Sequence, residues 1–170
     1  MIKTKTIVQN AILVALALAL SYVERFIPLQ LLVPLPGVKL GLANIVTLVA
    51  LYAFGPNQAF RIVVLRCTLG SIFGGGVTGL FFSLTGGMLS MGVMSLLKRL
   101  PLFSVYGISI LGAAAHSIGQ VAVAMLLMQS IHIGVYLAYL LVVALFTGFA
   151  TGAACVGVLR VLKRVNDSSN

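Results

Sequence analysis

The chain has 170 residues, of which 61% are hydrophobic and 8% are charged, and its mean hydropathy is +1.17. Soluble domains carry about 25% charged residues, so this composition excludes an ordinary soluble domain and predicts one integral membrane domain over residues 1–170. The net charge of +9 does not indicate binding of nucleic acid, because the cations lie at the ends of apolar runs, where they act as topology signals.

The first apolar run, residues 6–23, is predicted to cross the membrane as a helix. A cleaved secretory signal is the competing interpretation, but the run is long for one and the chain behind it is equally apolar. Within the run, Ala11, Ala15 and Ala19 recur every four residues and therefore share one helix face. Small residues at this spacing allow a second helix to approach closely, either from this protein or from a partner.

A proline-rich, apolar loop follows, and its prolines exclude a regular helix. We expect either a lid over a site at the membrane surface or an interfacial anchor. The second span is predicted over residues 40–54. Lys39 then lies at the level of the headgroups, and Asn44 lies about one turn inside them.

The third span, residues 57–73, contains Arg66 about 15 Å from its start, near the bilayer centre. An arginine at that depth is costly unless it is paired or faces an aqueous cavity, so Arg66 is a candidate functional residue. The alternative is a structural pair with Glu24 or with carbonyl groups. Three consecutive glycines beginning at Gly74 end this span, and the fourth is predicted over residues 77–97.

The fifth and sixth spans are predicted over residues 102–127 and 135–159, on either side of a polar patch at His132. His116 and Gln120 lie one turn apart on the same face of the fifth span. They either hydrogen-bond a neighbouring helix or line a ligand cavity.

The distribution of lysine and arginine predicts the topology. For six spans, one side receives eight of these residues and the other receives two. The positive-inside rule then places both termini in the cytoplasm.

Residues that carry catalysis are scarce in this sequence. Glu24 and Asp167 are the only acids, so the clustered aspartates that hold magnesium in a prenyl-diphosphate synthase are absent, as is a P-loop for ATP. Cys67 and Cys155 lie inside apolar segments and are interpreted as small hydrophobic residues. We therefore predict no catalytic residue, no metal site and no cofactor, and we favour binding of an anionic or polar small molecule, with the driving energy supplied elsewhere.

Three motifs carry a resemblance to a known family: PGVKLGLANIVTLVALYAFG, RCTLGSIFGGG and GAAAHSIGQ. Over nearly the whole chain they resemble the Gx transporter family, also called heptaprenyl diphosphate synthase component I. That family is similar to the substrate-binding S components of energy-coupling factor (ECF) transporters. The resemblance implies an all-α bundle of six transmembrane helices in the bacterial cell membrane, with cytoplasmic termini and a long first loop over an outward-facing site.

The resemblance also implies partners and site residues. It makes Ala11, Ala15 and Ala19 the docking face for a transmembrane coupling subunit, which two ATPase subunits drive. The substrate would be a small, anionic vitamin- or isoprenoid-related molecule captured from outside. The family-like positions that would bind it are Lys39, Asn44, Arg66, His116 and Gln120.

Two other functions remain open at this point. One is a non-catalytic membrane subunit of a heptaprenyl (polyprenyl) diphosphate synthase, holding a soluble catalytic partner at the bilayer. The other is a solitary carrier that uses His116 as a proton switch.

Overall fold

The computed structural model describes residues 4–24, 26 and 41–168, and within these residues the chain is helical and contains no strand. Four helical stretches are long and apolar enough to cross a membrane, which confirms an all-α membrane protein with several candidate spans. The proline-rich loop and Lys39 lie outside the described residues. The described residues form six α-helices: α1 (Thr4–Glu24), α2 (Asn44–Phe54), α3 (Pro56–Gly70), α4 (Gly76–Leu97), α5 (Val105–Met128) and α6 (Val135–Ser168).

The helix α2 lies in the middle of the bundle and contacts α1, α3, α4 and α6. It begins at Asn44, four residues after the predicted start, because Gly41 has a positive φ of 83° and residues 41–43 form a turn. Its 11 residues extend ~16 Å, about half of the ~30 Å hydrocarbon layer. Most of its side chains are buried, so contacts within the protein surround this apolar helix on all faces.

The predicted break at the three glycines is present, and it begins earlier than expected. The helix α3 ends at Gly70, and a π-helical turn over Ser71–Gly75 leads into α4. Gly74 and Gly76 have φ values of 110° and 62°, at which a side chain would be strained. The glycines therefore permit the kink between α3 and α4.

The helix α5 packs most extensively, with α4 on one side and α6 on the other. Where Gly119 of α5 faces Gly86 of α4, a Cβ added to Gly119 would lie only 2.9 Å from the Cα of Gly86. Small residues at such crossings let helix backbones touch. The helix α5 ends at Met128, and Gln129 adopts a left-handed conformation with φ 48°, at the polar patch predicted to separate the last two spans.

Candidate functional site

Arg66 lies inside the bundle and is only 7% exposed. Its Nη2 donates a hydrogen bond of 2.9 Å to Oδ1 of Asn44, the first residue of α2. Its Nε is buried and has no hydrogen-bond partner among the described residues. The structure thus brings together the arginine and the amide that the sequence singled out on separate helices.

Two adjacent glycines of α4 make room for the functional candidates on α3 and α5. A Cβ at Gly86 would lie 2.9 Å from Cε1 and Nδ1 of His116, and a Cβ at Gly87 would lie 3.3 Å from Nη2 of Arg66. On the other side, a Cβ at Gly41 would lie 3.2 Å from Cδ2 of His116. The imidazole of His116 therefore packs between Gly41 and Gly86, two residues that have no side chain.

Glu24, the last residue of α1, adds a carboxylate to this cluster and is 5% exposed. Its Oε1 accepts a hydrogen bond of 2.6 Å from the backbone N–H of Gly41. This bond joins the end of α1 to the turn that precedes α2. The sequence suggested Glu24 only as a possible partner of Arg66, although its position directly after the first apolar run was a signal for a site residue.

The cluster encloses a cavity of about 30 Å³. That volume holds roughly one or two water molecules, whereas pockets for small ligands measure about 300–1,000 Å³. The structure is therefore closed around its polar groups. Polar or thiol-bearing side chains in the cavity wall are Ser21, Glu24, Arg66, Cys67, Ser83 and His116.

Cys67 differs from its interpretation as a purely apolar residue. It is buried, as expected, but it lines the polar cavity and its Sγ donates to the carbonyl oxygen of Ser83 at 3.2 Å. Cys155 is a buried free cysteine of α6. Within residues 4–24, 26 and 41–168, no three His, Cys, Asp or Glu side chains converge on a possible metal site.

The predicted substrate-binding residues separate into three groups. Arg66 and His116 line the cavity, and Asn44 accepts a hydrogen bond from Arg66. Gln120 is fully buried one turn further along α5, on the same face as His116. Lys39 lies outside the described residues.

The predicted docking alanines lie on the opposite, outer face of α1. Ala11, Ala15 and Ala19 are exposed, whereas Val14 and Ala17 on the inner face are buried at 5% and 0% exposure. Ala11 and Ala15 line an open apolar groove of about 690 Å³ between α1 and α3. The alanine face therefore points away from the bundle.

A buried guanidinium and a buried imidazole beside a closed polar cavity, inside an apolar helical bundle, define a membrane protein with an internal polar site. The family model described as heptaprenyl diphosphate synthase component I matches residues 13–158, and the chain belongs to that family. The family predicted from the three sequence motifs is thereby confirmed. No curated protein and no solved structure matches the chain.

Proposed function

We propose that this protein is the substrate-binding S component of an ECF-type importer and that it binds a small anionic solute at Arg66, Asn44 and His116. The observation that carries the proposal is the guanidinium of Arg66, buried at 7% exposure beside a polar cavity. Burying such a charge costs free energy, and well-packed apolar residues commonly stabilise a core at least as well. A function for the charge explains why the bundle contains it.

An anionic group suits the guanidinium of Arg66. The Nε of Arg66 has no hydrogen-bond partner among the described residues, and a guanidinium can donate two parallel hydrogen bonds to a carboxylate or phosphate. The amino end of α2, at Asn44, favours negative charge nearby. His116 and Gln120 would hydrogen-bond the polar part of the solute, and Lys39 would add a second cation.

The cavity must enlarge before it can hold such a solute. The hydrogen bond between Glu24 and Gly41 joins two of the elements that enclose it. A hydrogen bond to a charged group contributes about 1.5–3 kcal/mol, whereas micromolar binding releases about 8 kcal/mol. The free energy released by binding a vitamin-sized molecule therefore exceeds the cost of breaking the hydrogen bond that holds the turn at residues 41–43.

Native mass spectrometry of the chain, purified in mild detergent, tests the proposed site. We expect one anionic small molecule to remain bound to the wild type and to be lost from Arg66→Met, because the variant removes its charged partner. Leu65→Met is the matched control, since Leu65 is 45% exposed on the same helix. A molecule that Arg66→Met retains as well as the control does would contradict the proposed site.

The exposed alanine face supports docking on a coupling subunit. Ala11 and Ala15 leave the backbone of α1 accessible along the groove beside α3, and close contact between membrane helices depends on such small residues. We propose that a helix of the coupling subunit occupies this groove.

The variant Ala15→Phe tests the docking face, because the phenyl ring would fill the groove without reaching the polar cavity. Uptake by cells that carry the complete importer should fall to background, while the purified variant still retains its small molecule. Ala138→Phe is the control, since Ala138 is an exposed alanine of α6. Undiminished uptake by Ala15→Phe would contradict the proposed docking face on α1.

The family description favours a second candidate, a non-catalytic membrane subunit of a polyprenyl diphosphate synthase. Purification from the native membrane separates the two functions. Co-purifying ATPase and coupling subunits support the importer, whereas a soluble aspartate-rich prenyltransferase in their place supports the synthase subunit.

A further inference from the structure

The helix α6 continues well beyond the bundle. Its 34 residues extend ~51 Å, whereas the hydrocarbon layer is ~30 Å thick. Its contacts with α5 show where the bundle ends: a Cβ at Gly152 would lie 3.1 Å from the Cα of Tyr106, one residue after α5 begins. Cys155, at 0% exposure, is the last buried residue among the described side chains of α6. Leu159 still packs half-buried against the core, whereas Val158 beside it is exposed, and the last two turns of α6 project past their neighbours.

This projecting segment carries an uncovered apolar face. Val158, Val161 and Leu162 are 41%, 59% and 45% exposed. Their spacing of three and four residues places them on one side of the helix. Helices this short are marginal in water by themselves, so a surface that covers this side would stabilise the segment.

The same segment is basic. Arg160, Lys163 and Arg164 are all exposed, and Asp167 is the one acid between Cys155 and the end of the helix. Two copies of the segment would repel each other, which argues against pairing with a second copy of this chain.

The position of the cations relative to the membrane identifies the surface that they meet. Twenty residues from Val135 span ~30 Å, which places the edge of the hydrocarbon near Cys155. Arg160 then lies ~8 Å and Arg164 ~14 Å beyond that edge. Lipid headgroups extend ~5–8 Å from it, and screening at physiological salt acts over ~8 Å. All three cations therefore lie within range of the lipid phosphates.

We propose that the segment of α6 from Val158 to Arg164 binds anionic phospholipid headgroups and lays its apolar face against the membrane interface. A basic helix with one apolar side is typical of segments at an anionic membrane surface. Gly157, around which a Cβ would meet nothing within 4 Å, lies at the exit from the bundle and lowers the cost of bending there. The segment thus anchors the bundle at the end opposite the polar cavity.

Fluorescence of a single introduced tryptophan tests this proposal, because the natural chain contains none. Full-length Leu162→Trp is placed in nanodiscs of phosphatidylcholine alone or mixed with phosphatidylglycerol. We expect emission at shorter wavelength and weaker acrylamide quenching in the phosphatidylglycerol discs. The difference should disappear in the background R160Q, K163Q, R164Q and at ~1 M salt, where screening acts over ~3 Å.

Phe146→Trp is the matched control, since Phe146 is 74% exposed further back on the same helix, within the span. Its emission should be the same in both lipids. Val161→Trp provides a second probe if Leu162→Trp does not fold. Water-like emission from the projecting segment in both lipids would overturn the proposal. It would indicate that a protein partner covers the apolar face of the segment instead. A phosphatidylglycerol effect that persists in the triple glutamine background would equally overturn it.

Discussion

The side chains of Arg66 and Asn44 stabilise each other in a buried part of the bundle. Both are buried, and the 2.9 Å hydrogen bond between them crosses from α3 to α2. Removing one partner of a buried charged interaction leaves the other without compensation, whereas removing both can be nearly neutral. The cost of replacing both side chains should therefore be smaller than the sum of the two single replacements, which distinguishes this pair from two independent buried residues.

We predict that Asn44→Leu lowers the free energy of unfolding by about 1.5–3 kcal/mol, the contribution of a hydrogen bond to a charged group. In Arg66→Met the amide of Asn44 loses the same bond, so the double variant should be less destabilised than the sum of the two single variants. Denaturant titration of the four proteins in one detergent measures this coupling. Strictly additive effects would show that the two side chains do not interact.

At the scale of helices, the glycines of α4 determine how closely this helix packs against α3 and α5. A Cβ at Gly86 would lie 2.9 Å from the ring of His116, and a Cβ at Gly87 would lie 3.0 Å from Val63 and 3.3 Å from Arg66. Any larger residue would have to displace a functional side chain or a backbone. The dimensions of the polar cavity therefore depend on the absence of a side chain at Gly86 and at Gly87 of α4.

Replacing Gly86 by alanine should destabilise the protein by about 1–3 kcal/mol, the usual cost of overpacking. The new Cβ would lie 2.9 Å from the ring of His116 and 3.0 Å from its carbonyl oxygen, so α4 and α5 would have to separate. The control is Gly92→Ala on the same helix, where a Cβ would meet nothing within 4 Å. The control should be neutral or stabilising by about 0.5–1 kcal/mol, because alanine favours helix over glycine. Equal effects of the two variants in thermal unfolding would contradict this packing.

The sequence predicted the features that depend on composition and on periodicity within one helix. These include the long apolar helices, the break at Gly74 and the common face of His116 and Gln120. It did not predict which helices meet. The fit of Gly86 against His116 joins residues 30 positions apart, and no pattern within α4 or α5 contains that information.

The start of α2 and the role of Lys98 were missed for the same reason. The apolar run from residue 40 looked long enough to cross a membrane, but the positive φ of Gly41 delays the helix to Asn44. Lys98 was counted as a topology signal, whereas its Nζ also donates to the carbonyl oxygen of Leu51 at 2.7 Å. A cation at the carboxyl end of a helix stabilises its last carbonyl groups.

At the scale of the whole molecule, the central helix α2 connects two chemically different ends of the bundle. Its amino end, at Asn44, contacts Arg66 beside the polar cavity, and its carboxyl end is bound by Lys98. The cations Arg99 and Arg160 lie at the Lys98 end, after α4 and within the projecting part of α6. The cavity and these cations of the described residues therefore lie at opposite ends of the bundle axis.

This separation leads to a prediction for the orientation in the membrane, in which the Lys98 end faces the cytoplasm. The variants His132→Cys and Asp167→Cys each add one exposed thiol, before and after the membrane-crossing part of α6. The natural cysteines Cys67 and Cys155 are 3% and 0% exposed, so they should contribute little background labelling. A membrane-impermeant maleimide added to intact cells should label His132→Cys at once and Asp167→Cys only after permeabilisation. The reverse pattern would invert the orientation and place the polar cavity on the cytoplasmic side, which an importer of this kind could not use to capture its substrate. Labelling of both variants from the same side would show instead that α6 does not cross the membrane.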